Sequence, residues 1–157
     1  ITKSDVENDE RRQNLVNTFN KLFEFGAIPV INENDSVAVE EIVYGDNDSL
    51  SAIVAKLVNA DALIILSDID GLYDANPNEN EDAKLIPVVT EINEDLYAIA
   101  GGKGSTLGTG GMVTKLHAAE ITMGAGIDTI VMNGENPTEI YKALDGKQVG
   151  TFFKGKE

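Results

Sequence analysis

The uninterrupted apolar run Ala62-Leu-Ile-Ile-Leu66 constrains most strongly what this chain can fold into. Side chains alternate between the two faces of a strand, so a run with no polar alternation predicts a strand covered on both faces. It stops at the polar Ser67-Asp-Ile-Asp-Gly71, which reads as a strand-terminating turn. Strands of this kind occur in sheets flanked by helices, and a helical pattern precedes this one. Leu50, Ile53, Val54, Leu57 and Val58 share one face of a segment opened by Gly45-Asp-Asn-Asp48, where Asp46 to Asp48 are candidate caps.

The alternation continues along the chain. Asp5 to Phe25 is predicted as a helix with Leu15, Val16, Phe19, Leu22 and Phe23 on one face and Gly26 as its stop. Ala27 to Asn32, with Pro29, is predicted as a buried strand, and Ser36 to Tyr44 as extended chain. Leu85 to Val89 predicts a strand and Asn93 to Ile99 a short helix. A helix from Met112 spaces Leu116, Ala119 and Met123 along one side. Thr129 to Met132 predicts a strand, Pro137 to Leu144 a helix, and Gln148 to Phe153 a last strand. The order predicts one α/β domain over residues 1–157, a three-layer sandwich with a mainly parallel central sheet. Ligands of such sheets bind at the carboxyl ends of the strands. Asn32 to Asp35, Ser67 to Gly71 and Asn133 to Glu135 all follow predicted strands and are expected to gather on one edge.

Composition removes several chemistries. The chain has no cysteine, which excludes disulfides and thiolate catalysis, and a single histidine, His117, which excludes a multi-histidine zinc site. No metal-ligand set is read from it. A net charge of −15 argues against wholesale binding of nucleic acid or an anionic membrane. No run approaches the ~18 apolar residues of a membrane-spanning helix and no secretory signal opens the sequence, so a cytoplasmic location is expected. The opening Ile1-Thr-Lys3, without methionine, suggests an N-terminally incomplete chain.

Against that negative charge, Gly108-Thr-Gly-Gly-Met-Val-Thr114 followed by Lys115 stands out. Unsatisfied N–H groups at a helix start carry partial positive charge, glycines allow close approach, and a lysine in the first turn adds a full charge. That combination suits a polyphosphate. Gly101-Gly-Lys-Gly-Ser105 is not a P-loop, because Gly104 separates Lys103 from Ser105 and a predicted helix precedes it. Asn47 and Asp48 exceed what capping requires: Asn47 suits a small polar ligand, and Asp48 suits positioning a lysine or a metal ion. Ser67 and Asp68 suit hydrogen bonding to a nucleotide, while His117 reads as a surface or packing residue.

Val30-Ile-Asn-Glu-Asn-Asp35, Gly45-Asp-Asn-Asp48, Ser67-Asp-Ile-Asp-Gly-Leu-Tyr73 and Gly108-Thr-Gly-Gly-Met-Val-Thr-Lys115 together resemble the amino acid kinase family, over nearly the whole chain. The Ser67 to Tyr73 stretch is shared widely in that family; the other three resemble its glutamate-kinase branch more narrowly. The resemblance implies transfer of a phosphoryl group from ATP, with Mg2+, to the side-chain carboxylate of L-glutamate, the first step of proline biosynthesis. It implies that Asp35 and Asn47 bind glutamate and that Asp48 organises the centre by hydrogen-bonding lysines. Ser67, Asp68, Thr109, Gly110, Gly111, Met112, Val113, Thr114 and Lys115 would hold ATP, with Lys115 neutralising charge on the transferring group. A homo-oligomer, and the glutamyl phosphate reductase that consumes the product, are the partners it implies. The family's opening strand, first glycine-rich loop and early lysine have no counterpart here, so roughly a hundred residues of the pattern are expected to precede this chain. On that footing it carries the ATP-binding, carboxyl-terminal half and part of the glutamate site, and is expected to be inactive alone. Kinases of the same fold acting on a carbamate, aspartate, acetylglutamate or nucleoside monophosphate remain alternatives, as do a nucleotide-sensing module and an acidic structural domain.

Overall fold

The computed structural model describes residues 1–34, 46–77, 79–101 and 111–156. Within them four strands form one sheet: β1 (Ala62–Ser67), β2 (Val88–Val89), β3 (Asp128–Asn133) and β4 (Thr151–Phe153), in the spatial order β1-β3-β4-β2. β1 and β3 pair in parallel from Ala62 opposite Asp128 to Ser67 opposite Asn133. β2 and β4 are also parallel, whereas β3 and β4 run antiparallel. The helices are α1 (Lys3–Glu7), α2 (Asp9–Glu24), α3 (Asn47–Leu57), α4 (Glu94–Gly101), α5 (Met112–Gly124) and α6 (Glu139–Leu144). This is the α/β class, with a mainly parallel sheet, that the sequence predicts.

The core forms where α3 and α5 lie side by side, α3 against β1 and α5 against β3. Ala52 of α3 joins Leu116 and Ala119 of α5, Val131 of β3 and Phe153 of β4 in one buried cluster. Small residues at this seam let the two helices approach closely, so α3 buries Ser49, Ala52 and Ala55 most completely, with Leu50. Ile53, Val54, Leu57 and Val58 of the face read from the sequence are half-buried. Buried hydroxyls are satisfied internally. Thr122 and Thr129 hydrogen-bond each other, and Thr151 accepts the Leu72 N–H at 2.8 Å while donating to the Ile86 carbonyl at 2.7 Å.

Several expected elements differ. The helix read over Asp5 to Phe25 is two helices, because Asn8 takes an extended conformation (φ −79°, ψ 123°) and its side chain caps α2 by accepting the Arg11 N–H. Ala27 to Asn32 is not a buried strand: Ile28 is 89% exposed and Val30 98%. Its ends meet α2 and the chain start: the Ala27 N–H donates to the Leu22 carbonyl (2.9 Å), the Ile1 ammonium to the Asn32 carbonyl (2.8 Å) and, just beyond, the Asn34 N–H to the Ile1 carbonyl (2.9 Å). β1 is an edge strand among the described residues, so Ile65 is buried but Leu66 is 43% exposed. The strand read from Leu85 shrinks to Val88–Val89, with Leu85 in an isolated bridge to Tyr73. The last strand begins at Thr151 because the Gln148 side chain folds back onto the Pro87 and Gly150 carbonyls. Ser36 to Tyr44 lies outside the described residues.

Candidate active site

α3 returns to β1 through residues 58–61, and α5 returns to β3 through residues 125–127. Short returns of this kind make each helix antiparallel to the strand it feeds, so the N-termini of α3 and α5 lie at the carboxyl edge of the parallel pair. That edge also carries Ser67, Asp68 and Asn133.

The two acidic residues at the start of α3 make different contacts. Asp46 is the cap of α3: its carboxylate accepts the Ser49 N–H at 2.7 Å and the Ser49 hydroxyl at 2.9 Å. Asp48, two residues on, is turned to α5. Its Oδ2 accepts from Lys115 Nζ at 3.1 Å and from Thr114 Oγ1 at 2.6 Å. Both members of the ion pair are largely buried, and Lys115 is only 6% exposed. A charge taken out of water needs a partner at contact distance, and Asp48 supplies it. Sequence reasoning placed Asp48 and Lys115 in one centre on the strength of a resemblance; the helix seam brings them together.

Gly111 caps α5 and has no side chain to occupy the first amides of the helix. Met112 and Val113 open the helix half-buried, and Lys115 faces the seam one turn in. The helix start therefore offers backbone N–H groups beside an ammonium, the donor set of an anion site. Thr109 and Gly110 lie outside the described residues, as does Asp35. Asn47 is exposed and, with Asn32, lines a groove of ≈ 690 Å³ whose walls include Val30, Leu50 and Val54.

At the end of β1, Ser67 Oγ donates to Asp68 Oδ1 at 3.1 Å, and the Gly134 N–H donates to the Ser67 carbonyl at 2.7 Å. The loops after β1 and β3 are also tied by side chains. Asn133 Nδ2 donates to Asp70 Oδ1 at 2.9 Å and the Tyr73 hydroxyl donates to Asp70 Oδ2 at 3.2 Å. Burial first, then the Asp70 carboxylate, raises the Tyr73 pKa above its ordinary value. Asp70 and Tyr73 belong to a motif read from the sequence, but the meeting of Asp70 with Asn133, 63 positions away, carries no local signal. His117 sits exposed on α5, 4.0 Å from Glu120, in keeping with a surface residue.

The lysine–aspartate pair thus lies between two helix starts at the carboxyl edge of an α/β sheet. The chain belongs to the amino acid kinase family, whose model matches residues 1–133. It is similar to glutamate 5-kinase of Clostridium perfringens, 51% identical over all of this chain and 60% of that protein. Glutamate 5-kinase of Streptococcus thermophilus is 50% identical with the same coverage. The chain thus spans about 60% of the length of these relatives. Among solved structures, an isopentenyl phosphate kinase superposes with a TM-score of 0.62 at 21% identity, over 88% of this chain and 51% of that one. UMP kinase from Bacillus anthracis does so with 0.61 at 18%, over 93% and 52%. These two share the fold.

Proposed function

We propose that the protein carrying this chain is an ATP-dependent kinase that phosphorylates the side-chain carboxylate of L-glutamate to γ-glutamyl phosphate, the first step of proline biosynthesis. The observation that carries the reading is the buried Lys115–Asp48 pair at the start of α5. Half-identity over the whole chain to proteins named glutamate 5-kinase supplies the substrate. Within one domain this chain contributes the ATP-binding half and part of the glutamate site.

In the transfer, a carboxylate oxygen attacks the γ-phosphorus, the bond to the β–γ bridging oxygen breaks, and ADP leaves. An ionised carboxylate needs no general base, so catalysis depends on positioning and charge neutralisation. In this reading Lys115 draws the charge that spreads over the γ-phosphoryl oxygens, supported by its contact with Asp48 in the seam. Gly111 to Thr114 present the helix start to the phosphates with Thr109 and Gly110, Ser67 and Asp68 contact the nucleotide from the sheet edge, and Asp35 with Asn47 binds glutamate. Among the described residues no group of three or more His, Cys, Asp or Glu is arranged to hold a metal ion. A Mg2+ ion bound together with ATP would neutralise charge on the phosphates. The same reading extends to a cytoplasmic homo-oligomer that hands its product to glutamyl phosphate reductase. Among the described residues no helix is long and apolar enough to cross a membrane.

The test is γ-glutamyl hydroxamate formation from glutamate, ATP and hydroxylamine by the polypeptide of the relatives' full length, beside a panel of aspartate, acetylglutamate, carbamate and UMP. Glutamate-dependent product is expected. Turnover of UMP with none on glutamate would overturn the reading.

A further inference from the structure

We propose that Thr114 is a positioning residue: its hydroxyl holds the Asp48 carboxylate in the orientation that keeps Lys115 at the start of α5. The proposal rests on the kinase reading of this site but not on glutamate as the acceptor. Thr114 Oγ1 lies 2.6 Å from Asp48 Oδ2 and 2.7 Å from the Gly111 carbonyl. A hydroxyl has one proton to give, and both neighbours are acceptors. The Gly111 carbonyl already accepts the Thr114 N–H at 3.2 Å. The carboxylate is also the stronger acceptor, because hydrogen bonds to an ionised group are shorter and stronger than those between neutral groups. The Thr114 proton therefore goes to Asp48.

Oδ2 thus takes two donors from consecutive residues of α5, Thr114 and Lys115. Neighbours on a helix point roughly 100° apart, so they converge on one atom only if that atom reaches into the wedge between them. Asp48 does this from the first turn of α3, at the packed α3–α5 seam. With Lys115 as its only tether, the carboxylate would follow the ammonium as phosphate charge drew it away. A second, uncharged donor on the same oxygen fixes the aspartate independently of the lysine. Serine conserves this function; valine, of the same shape, removes it.

The test compares Thr114→Val and Thr114→Ser in the polypeptide of the relatives' full length. Thr114→Val is expected to lower kcat about ten- to hundredfold, the scale of one lost hydrogen bond to a charged group. KM for ATP should stay within about threefold, and Thr114→Ser within about threefold of wild type in both parameters. In an Asp48→Asn background, Thr114→Val should have little further effect, since the residue acts through Asp48. A readout that needs no turnover is the rate at which an amine-selective reagent labels Lys115, followed by mass spectrometry. It should rise several-fold in Thr114→Val and not in Thr114→Ser. Should Thr114→Val not fold, Thr114→Ala is read in the same way. Unchanged labelling and kcat in the variant lacking the hydroxyl, additivity with Asp48→Asn, or a loss confined to KM for ATP would overturn the proposal. A wild-type enzyme inactive on glutamate but showing the labelling pattern would overturn the substrate reading and leave Thr114 assigned.

Discussion

At 6% exposure Lys115 is a charge almost out of water, and such a charge persists in a fold only against a close partner. On the proposed function its contribution is electrostatic, so Lys115→Met, which keeps the stem and removes the charge, is expected to lower kcat on the order of a hundredfold or more, measured by ADP release. Unchanged kcat would make Lys115 a structural member of the seam. Asn47 tests the division of labour. It is exposed on the groove wall at the N-terminus of α3, its neighbour Asp48 being the residue turned to α5. Asn47→Ala is therefore expected to raise KM for glutamate at least several-fold while leaving ATP affinity within a few-fold; equal losses for both ligands would reverse the assignment. The sequence marked Asp48, Asn47 and Lys115 individually, through helix-start chemistry and family motifs. It singled out Asp48 to position a lysine but left Asp46 to Asp48 together as candidate caps, because which of them caps α3 is settled only once the helix has a direction to face.

The elements depend on close backbone approach at the sheet. Gly150 has φ +62°, and a Cβ there would lie 2.1 Å from the Val131 carbonyl oxygen and 2.9 Å from Met132 Cα. Neither backbone atom can give way without displacing β3, so Gly150→Ala is expected to cost about 3 kcal/mol or more, read from denaturant unfolding. A variant as stable as wild type would mean that β4 enters the sheet differently. The α4–α5 contact carries a pH signature. Burial, then the hydrogen bond to Glu120 and its charge, pushes the Tyr97 hydroxyl up to about 12. The unfolded chain releases that proton near 10, so between about pH 10 and 12 the native state binds more protons. The contribution is complete below about pH 10 and is lost as pH rises through the folded value. In Tyr97→Phe this decline is absent, so the stability gap between wild type and variant should narrow across that window; a constant gap would show that Tyr97 is not held neutral. Element existence was legible from periodicity for α3, α5, β1 and β3. The break at Asn8 was not, since Asn8 competes for its own backbone as a cap inside an otherwise helical pattern.

At the scale of the molecule, the formal net charge is −15, so on the proposed reading the positive groups at the start of α5 have to overcome the field of the whole to hold a polyphosphate. The chain also spans about 60% of its relatives' length, and Ile28 and Val30 stand almost wholly exposed. Expressed alone, the 157 residues are expected to show little glutamate-dependent ADP release and to self-associate, whereas the polypeptide of the relatives' length should turn over. Equal specific rates would mean that this chain holds the complete active site. The sequence by itself determined the class of fold, the parallel pairing implied by the run from Ala62, and a helix start suited to phosphate, since these follow from local periodicity and backbone chemistry. Tertiary structure alone decided that Ala27 to Asn32 pairs with no strand among the described residues, because a strand exists only through the backbone beside it. It alone also decided that Asp48, Thr114 and Lys115 share one oxygen, because residues 66 and 67 positions apart meet only once two helices have packed along a common seam.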